Sequence, residues 1–378
     1  MTGPLAGLRV LELGGVGPAP FCGMMLADLG AEVIRVNRPG DKRYRVLDRG
    51  RRSIFIDLKS ASGVEAALRL IERCDVVLEG FRPHVIERFG LAPQVMLERR
   101  PQLVLGRMTG WGQQGPWAMS PGHDINYIAH SGVLHAVGEA GGPPVVPLNV
   151  AADMGGGGML LAVGVLAALL EARVSGKGQV VDAAMVDGSA LLMAMMYGFL
   201  ADGSWTDERG VNRLDGGRPW YAVYACADGH MAVGCIEAQF WADFVEQMGL
   251  AADPDFADQH DSAAWPAMRT KLATLFSTRT RTEWEKVFPA GRACVTPVLS
   301  MVEATQSPHN LARETFAPMA GGGHWPQPAP RFSRTSLDRP TTPHAMGQDT
   351  REVLREAGFD DDEIDKLIDD VRPSERPE

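Results

Sequence analysis

The sequence predicts an α/β protein, in which a parallel sheet covered by helices precedes a smaller unit of strands and helices. Two observations carry this prediction. Short β-branched runs alternate with helical patterns over the first 110 residues, and further strand and helix signals follow residues 201–221. That intervening stretch is rich in Gly, Asp, Arg and Trp, which is typical of a linker.

The first unit has the pattern of successive β–α–β elements. Between its strands, apolar residues recur at helical spacing, and Gly30 and Gly90 end two of these stretches. A further strand is expected at 180–185, followed by one long helix at 186–200. The other strands are expected at 8–13, 31–36, 53–58, 75–80 and 103–108, with helices at 20–30, 61–74 and 85–90.

Changes in composition divide the chain into segments. The small unit should contain strands within 220–235 and helices at 240–249 and 282–288, and a last helix is expected near 361–370. We therefore predict a large domain at 1–186, a linker helix and loop at 187–220, a small domain at 221–318, and a return to the large domain at 319–378.

The net charge of −10 on 378 residues opposes general binding of nucleic acid or anionic membranes. A polyanionic ligand therefore needs a local basic cluster. Five well-separated cysteines without a CxxC pair suggest neither a disulfide framework nor zinc spacing, which favours a reducing compartment. No metal is expected, because His130, His135 and His230 have no acid or cysteine at ligand spacing.

Residues 154–170 are uncharged, but seventeen residues fall short of the ~20 apolar residues of a transmembrane helix. Because the run opens with Gly155–Gly158, we expect a buried core helix and no membrane partner. Residues 1–8 lack a signal-peptide pattern, and residues 374–378 lack a peroxisomal ending. The expected location is cytoplasmic.

Residues 7–36 resemble the opening of a dinucleotide-binding domain, with a strand, a glycine loop, a helix and a second strand. However, Pro20 occupies the third glycine position, and Asn37 and Arg38 stand where an NAD site needs an acid. Arg38 suits either a phosphate or adenine of coenzyme A, or simply a solvated surface. The cluster of Arg49, Arg51 and Arg52 favours a solvated face over phosphate binding.

The richest candidate chemistry lies in residues 109–132, where polar side chains follow glycine and proline. These are His123, Asp124, Asn126 and Tyr127. Further along, Asp153 stands just before a short glycine run and an apolar helix, which is the place of a carboxylate at a helix N-terminus. For Asp153 alone, an ordinary N-cap is the favoured interpretation.

Taken together, several segments resemble the α-methylacyl-CoA racemases of the family III CoA-transferase superfamily. The likeness covers nearly the whole chain. Asn37 is a departure, since relatives often have an acid there, and it weakens the case for adenosine contacts. The matching segments are 7–40, 57–60, 109–116, 122–129, 180–192 and 294–299.

The resemblance implies two proton carriers, His123 and Asp153, on opposite faces of the substrate α-carbon. It also implies that Glu237 orients the histidine, although Glu237 alone would be read as a surface acid. Backbone N–H groups after Asp153, with Asp124 if protonated, would stabilise the enolate. Gly155–Gly158 would leave room for the thioester, or permit close helix packing.

The resemblance further implies a Rossmann-like large domain, long linkers and an interlocked homodimer with shared active sites. Coenzyme A would be part of the substrate, with no separate cofactor, and the activity would belong to fatty acid and lipid metabolism. Its contacts are expected at Arg38, Ile56, Asp57, Leu58, Lys59, Gly80, Phe81, Arg82, Arg88, Gly122, Ile125, Asn126 and Tyr127.

Three other functions remain open. A CoA-transferase of this fold would use Asp153 as a nucleophile, but such enzymes usually have tyrosine or another non-basic residue at the place of His123. They also have a glycine loop in the small domain, where this sequence has CIEAQ. An NAD-dependent oxidoreductase is opposed by the failed fingerprint, and a non-catalytic CoA-binding module would not need His123. The acyl chain stays undetermined among branched fatty acyl, steroid side-chain and aryl-propanoyl groups.

Overall fold

A computed structural model describes residues 2–289 and 292–371. Six strands form one parallel sheet in the order β3-β2-β1-β4-β5-β6, which confirms the predicted α/β sheet. The strands are β1 (Arg9–Leu13), β2 (Glu32–Asn37), β3 (Arg51–Phe55), β4 (Val76–Glu79), β5 (Val104–Thr109), β6 (Gln179–Ala184), β7 (Tyr221–Cys226), β8 (Gly229–Gly234), β9 (Val295–Pro297), β10 (Phe316–Pro318) and β11 (His324–Pro326).

Helices follow most strands, and a π-helix, Val150–Met159, runs directly into one of them. The long helix expected at 186–200 is wrong, because the chain turns at Met193 and forms two helices. The helices are α1 (Pro18–Asp28), α2 (Ala61–Ile71), α3 (Val85–Arg88), α4 (Pro93–Arg99), α5 (Asp124–His130), α6 (Val133–Ala136), α7 (Leu160–Ser175), α8 (Met185–Leu192), α9 (Ala194–Ala201), α10 (Ala238–Gln247), α11 (Trp265–Phe276), α12 (Arg281–Val287), α13 (Met301–Ala304), α14 (Pro308–Ala312), α15 (Thr350–Glu356) and α16 (Asp361–Val371).

Strand order reverses between β1 and β4, because the chain builds outward from β1 on one side and from β4 on the other. Val10 pairs with Val33 of β2 and with Val76 of β4. In open α/β sheets, ligands bind beyond the carboxyl ends of the strands at such a reversal. Two glycine segments, Gly14–Gly17 after β1 and Gly80 after β4, lie at this place.

β3 ends at Phe55, earlier than the predicted 53–58, and residues 56–60 lead from this strand into α2. The backbone N–H of Lys59 donates to Oδ1 of Asp57 at 3.0 Å, and Ser60 Oγ accepts from the N–H of Gly63 at 3.0 Å. Ser60 is thus the N-cap of α2. Ser60 itself has extended backbone angles, and strand pairing already stops five residues earlier, at Phe55.

The core of the sheet is built from the β-branched and leucine side chains of the central strands. Leu11, Val77 and Leu105 are fully buried in one cluster, which α2 and the two C-terminal helices cover. α16 contributes Ile364 and Leu367 to the same cluster. The near-continuous apolar strands are those expected of a parallel sheet covered on both faces.

The π-helix and α7 form one continuous helix, Val150–Ser175, of 26 residues with mean hydropathy 1.8. The prediction of a run too short to span a membrane is therefore wrong, since by length and composition this helix is sufficient. A core helix of a soluble protein has the same properties, and 44% of its most apolar window is buried. Its exposed apolar side chains include Val163, Leu170 and Val174.

Contacts divide the chain into two compact units. Unit 1 comprises the described residues of 1–131, 148–193 and 313–378, and unit 2 comprises those of 132–147 and 194–312. Unit 2 contains an antiparallel sheet, β7-β8-β9, packed on an aromatic core that includes Phe244, Phe276 and Trp284. The predicted limits differ from these units, because they place 132–147 in the large domain, 194–220 in a linker and 313–318 in the small domain.

The last segment of unit 1 returns to the sheet at its β3 edge. Asp349 accepts from the N–H of Ser53 at 2.7 Å, and its own N–H donates to Ser53 O at 2.9 Å. Thr350 Oγ1 accepts from the N–H of Phe55 at 3.0 Å. The return predicted for residues 319–378 therefore supplies α15, α16 and a cap for the edge strand; residues 372–378 lie outside the described part.

Candidate active site

Two glycine segments meet at the reversal of strand order. A Cβ atom added to Gly15 would lie 3.8 Å from the Cα atom of Gly80, and one added to Gly14 would lie 3.6 Å from the ring of Phe81. Side chains at these glycines would fill the space between the two loops. The structure thus brings Gly80 and Phe81 together with the loop after β1, at the open edge of the sheet.

Asp124 connects the segment that contains His123 to the start of the π-helix. Its Oδ2 accepts hydrogen bonds from the backbone N–H groups of Ala152 and Asp153, both at 2.8 Å. The side chain is only 4% exposed, and Oδ1 has no hydrogen-bond partner among the described residues. Because Asp124 follows His123 directly, this carboxylate holds His123 beside the start of the π-helix. That Asp124 is protonated and donates a hydrogen bond to the enolate remains a prediction.

Asp153 lies in the first turn of the π-helix, whose N-cap residue is Asn149. The simple N-cap interpretation of Asp153 is therefore wrong. Asn149 Nδ2 donates to Oδ2 of Asp153 at 3.0 Å. Burial raises the pKa of Asp153 and Asp124 raises it further, whereas the Asn149 hydrogen bond and the field of His123 lower it, with a net increase.

His123 is exposed and is the N-cap residue of α5. Its backbone N–H donates to Oδ1 of Asn126 at 3.0 Å, so the Asn126 side chain serves the helix start. The imidazole is close enough to act electrostatically on Asp153. An exposed imidazole and a half-buried carboxylate therefore share one site, which suits them to accept and release protons in turn.

Tyr127 explains two of the nearby glycines. A Cβ atom at Gly110 or Gly122 would lie 2.2 Å or 2.8 Å from its ring, so only glycine fits at both positions. Burial raises the pKa of Tyr127 and Asp153 raises it further, while Arg82 lowers it. The predicted contacts Gly122 and Arg82 are therefore neighbours of Tyr127, and Tyr127 lies within the electrostatic reach of Asp153.

The remaining predicted coenzyme A contacts differ in what they can offer a ligand. Ile56 and Leu58 point into the core, so only their backbone atoms can face a ligand, and Asp57 accepts from the N–H of Lys59. Arg38 pairs with Asp41 at 3.3 Å and is largely exposed. Exposed side chains are Arg38, Lys59, Arg82, Arg88 and Ile125.

Glu237 is the N-cap residue of α10 in unit 2, directly after β8, and its side chain is exposed. Its predicted contact with His123 stays a prediction.

Gly156, Gly157 and Gly158 face neighbouring helices, and the expected approach of a thioester to Gly155–Gly158 stays a prediction. A Cβ atom at Gly156 would lie 2.5 Å from the backbone nitrogen of Ser189, and one at Gly158 would lie 2.7 Å from Pro18 O. The glycine run therefore lets the π-helix pack closely against α1 and α8. Close helix packing, the alternative in the sequence analysis, is confirmed.

The basic cluster after β2 is not a solvated face. Arg49 and Arg51 are buried, and Arg49 pairs with Asp28 at 2.6 Å. Arg52 pairs with Glu32 at 2.9 Å. Asn37 is also buried. Its side chain therefore does not face solvent, where an acid at this position would bind a ribose.

Sequence reasoning missed Asn149 and Gly17 as members of the site. A Cβ atom at Gly17 would lie 3.7 Å from Oδ2 of Asp153, the oxygen that Asn149 also contacts. The spacing of Asn149 and Asp153, four residues apart at a helix start, is a signal that could have identified Asn149. Gly17 lies far from Asp153 in the sequence and gave no such signal.

The fold and the site define an α/β protein in which a half-buried carboxylate, within the electrostatic reach of an exposed imidazole, lies beside the glycine loop at the reversal of the parallel sheet. Residues 5–350 match the sequence profile of CoA-transferase family III. The chain belongs to this family.

Individual comparisons agree. The chain is 45% identical over 372 residues to an alpha-methylacyl-CoA racemase of Mus musculus and 42% identical over 374 residues to one of Homo sapiens. Each match covers 97% of this chain and 96% of the relative. A crystal structure of a CAIB/BAIF family protein from Brucella suis superposes with TM-score 0.82, at 24% identity, over 94% of this chain and 100% of that one, and supports the fold.

Proposed function

We propose that this protein is an α-methylacyl-CoA racemase, an isomerase that interconverts (2R)- and (2S)-2-methylacyl-CoA thioesters. Two relatives that match nearly the whole chain carry this name. The observation that carries the proposal is that Asp124, the residue after His123, accepts the backbone N–H of Asp153 at 2.8 Å, with His123 close enough to act electrostatically on the Asp153 carboxylate.

The chemistry needs no group that the chain lacks. One of the pair, His123 or Asp153, removes the α-proton, and the electron pair of the C–H bond moves into the carbonyl to form an enolate. The other then donates a proton to the opposite face of the α-carbon, which restores the thioester with inverted configuration. The increased pKa of Asp153 supports this role. A carboxyl with a raised pKa is protonated more often near neutral pH and is therefore more often available to donate a proton.

Coenzyme A would bind beyond the carboxyl ends of the strands. The exposed cations Arg38, Lys59, Arg82 and Arg88 supply the local positive charge that an acidic chain needs to bind phosphates. The proposal includes no metal and no separate cofactor. A cytoplasmic location and a place in fatty acid and lipid metabolism belong to the same proposal.

Incubation of a single 2-methylacyl-CoA epimer with the protein in deuterated water tests the function. NMR should show deuterium at the α-carbon together with loss of optical purity, without an added acid. A matched sample of His123→Ala should lose racemisation by about 10³-fold. Retention of full optical purity by the wild-type protein would refute the proposal.

The proposal also includes a homodimer in which Glu237 of the partner subunit orients His123. Folding two inactive variants together, His123→Ala and Glu237→Ala, by co-expression or joint refolding tests this arrangement, because interlocked chains form mixed dimers only as they fold. In a mixed dimer with shared sites, one site carries both changes and the other carries neither, so activity should reappear. No recovery on joint folding, or a fully active monomer in sedimentation, would contradict shared sites.

A CoA-transferase within the same family is the alternative, with Asp153 attacking the thioester to form an anhydride. This reaction needs a second carboxylic acid as acceptor and no α-proton exchange. Trapping of Asp153 by hydroxylamine in the presence of acyl-CoA, without deuterium at the α-carbon, would favour the transferase.

A further inference from the structure

A buried ion cluster, Glu12, Arg35 and Arg51, lies next to the Gly14–Gly17 loop and has no part in the proposed proton transfer. The fully buried carboxylate of Glu12 in β1 accepts from Arg35 of β2 and from Arg51 of β3. Arg35 is only 6% exposed. Buried charges cannot touch the substrate, so the cluster can act on the reaction only through what it positions.

Arg35 is the member of the cluster that contacts the loop. Its Nη2 donates to Gly15 O at 2.8 Å, and its Nε donates to Oδ1 of Asn37 at 3.0 Å. Asn37 in turn donates through Nδ2 to Ser53 Oγ at 2.8 Å. Because the planar guanidinium is held at three nitrogens, the carbonyl of Gly15 is fixed in direction as well as distance.

The loop then carries this constraint to Asp153. Gly17, with φ of 75°, is the N-cap residue of α1, a conformation that side chains rarely adopt. A Cβ atom added to Gly17 would lie 3.7 Å from Oδ2 of Asp153, and the first turn of α1 packs on the π-helix at Gly158. A shift of the Gly15 carbonyl would therefore open the space beside the Asp153 carboxylate.

We propose that Arg35 is a positioning residue for the α-proton transfer, because its guanidinium holds the Gly14–Gly17 loop against the Asp153 carboxylate. The inference rests on the proposed function, since it concerns the same site. A loosened loop would admit water to the carboxylate and misalign it with the α-carbon, at a cost that grows steeply with displacement.

Hydration is the main change expected, because the charged groups near Asp153 stay in place. His123, Asp124 and Tyr127 are the titratable groups of α5 that interact with it. The residues of α1 and α8 that contact the glycine run of the π-helix, among them Pro18 and Ser189, are uncharged. Loss of burial removes the cause that raises the pKa of Asp153 most, so this pKa should fall.

The test compares Arg35→Lys with Arg49→Lys. Both keep a buried positive charge and lose the planar fork, but Arg49 pairs with Asp28 at the other end of α1. Asp153 is followed directly by pH titration of ¹³C-labelled aspartate carboxyls in NMR spectra, with Asp153→Asn to assign its signal. Racemisation is measured across the same pH range.

Arg35→Lys should lower the pKa of Asp153 by about half a pH unit and reduce kcat by about 10-fold, with KM changed less than about twofold. Arg49→Lys should leave both the titration and kcat near wild type. If Asp153 titrates alike in all three proteins and kcat falls equally in both variants, Arg35 is only structural and the inference is overturned.

A second variant covers the case in which Arg35→Lys does not fold. Asn37→Ala removes the acceptor of Arg35 Nε and the hydrogen bond to Ser53, but it leaves the contacts of Arg35 with Glu12 and Gly15 O. A smaller fall in the pKa of Asp153 is therefore expected, and an unchanged titration would overturn the inference. Absence of α-proton exchange by the wild-type protein would refute the proposed function, while the NMR titration still reports on Arg35.

Discussion

The Asp124 carboxylate stands between two residues with opposite requirements. His123 has to be exposed to meet a substrate, whereas Asp153 has to be half-buried to hold a proton. By accepting two N–H groups at the start of the π-helix, Asp124 fixes the distance between them without using either side chain. The two proposed proton carriers therefore depend on a third acid for their geometry.

Each proposed base should serve one epimer. In His123→Gln or Asp153→Asn, the remaining base can still remove a proton and return deuterium on its own face, but inversion is lost. Racemisation should fall by about 10³-fold in both variants, while each retains deuterium exchange with a different epimer. NMR of each epimer in deuterated water measures this.

His130→Gln is the control for these variants, because His130 ends α5 and packs against Trp111 and Trp117. It should racemise both epimers at close to the wild-type rate. Exchange of the same epimer by both catalytic variants would contradict one base on each face.

Asp153 should also reduce stability at neutral pH. Its folded-state pKa lies above the ordinary value of 3.8, so the folded chain keeps a proton that the unfolded chain loses as pH rises through this window. Stability therefore falls across the window and stays lower above it. Asp153→Asn, which does not titrate, should raise Tm by about 1–2 °C at pH 8, and this gain should vanish below pH 3.8.

The measurement is thermal unfolding at several pH values. Asp182→Asn serves as the control because Asp182 is an exposed carboxylate in β6, and the effect of this change on Tm should be the same at pH 8 and pH 3. A gain in Tm that is equal at pH 8 and pH 3 would contradict the pKa argument.

At the scale of residues, sequence patterns predicted the chemistry better than the contacts. The resemblance identified His123 and Asp153 because their local motifs are short and continuous. The sequence indicated that Arg51 lies on a solvated surface and that Asn37 occupies a position that contacts a ribose in NAD sites. Both residues are buried, because β2 pairs with β3. Such pairing joins residues that are distant in sequence, and no local pattern records it.

Helix packing at the π-helix sets limits on the glycines of α8. A Cβ atom at Gly188 would lie 1.8 Å from Gly156 O, and backbone cannot yield as a side chain can. Gly188→Ala should therefore destabilise the protein by about 3 kcal/mol and reduce activity, because Asp153 lies on the displaced helix. Urea unfolding followed by circular dichroism measures the change.

Gly198→Ala is the matched control, since Gly198 lies within α9 and nothing surrounds its Cβ position within 4 Å. Alanine should stabilise α9 by about 0.5–1 kcal/mol. If Gly188→Ala were equally harmless, close packing of α8 on the π-helix would be wrong.

At the scale of elements, alternation of strands and helices predicted every strand of the parallel sheet, because buried parallel strands are continuous apolar runs. Helix ends were harder to predict. The break at Met193 and the π-helix at Val150–Met159 follow from packing rather than from composition. The same glycine run that suggested an open binding surface in the sequence is, in the folded chain, a surface between helices.

At the scale of the whole molecule, the C-terminal segment should be required for unit 1 to fold. A chain ending at residue 343 lacks Val353, Leu354, Ile364 and Leu367, all buried in the main core. At ~1.5–3 kcal/mol for each buried side chain, the loss approaches the whole stability of a typical domain. Circular dichroism should show no cooperative unfolding of unit 1.

The control chain ends at residue 371 and keeps all described helices, so it should unfold as the full chain does. Cooperative unfolding of the shorter chain at a Tm within a few degrees of the control would contradict this requirement. The sequence predicted the return of the chain, but not that unit 1 is assembled from three separate segments. Such an arrangement depends on contacts between residues more than 300 positions apart, such as Arg52 with Glu356.

The caps that Asp349 and Thr350 place on β3 have a further consequence for association. An outer strand normally offers a row of free N–H groups to any extended segment that approaches it. Here the N–H groups of Ser53 and Phe55 are already satisfied within the same chain. Strand-by-strand growth of the sheet into a neighbouring molecule is therefore opposed at the β3 rim, where the chain's own C-terminal segment already occupies these two donors.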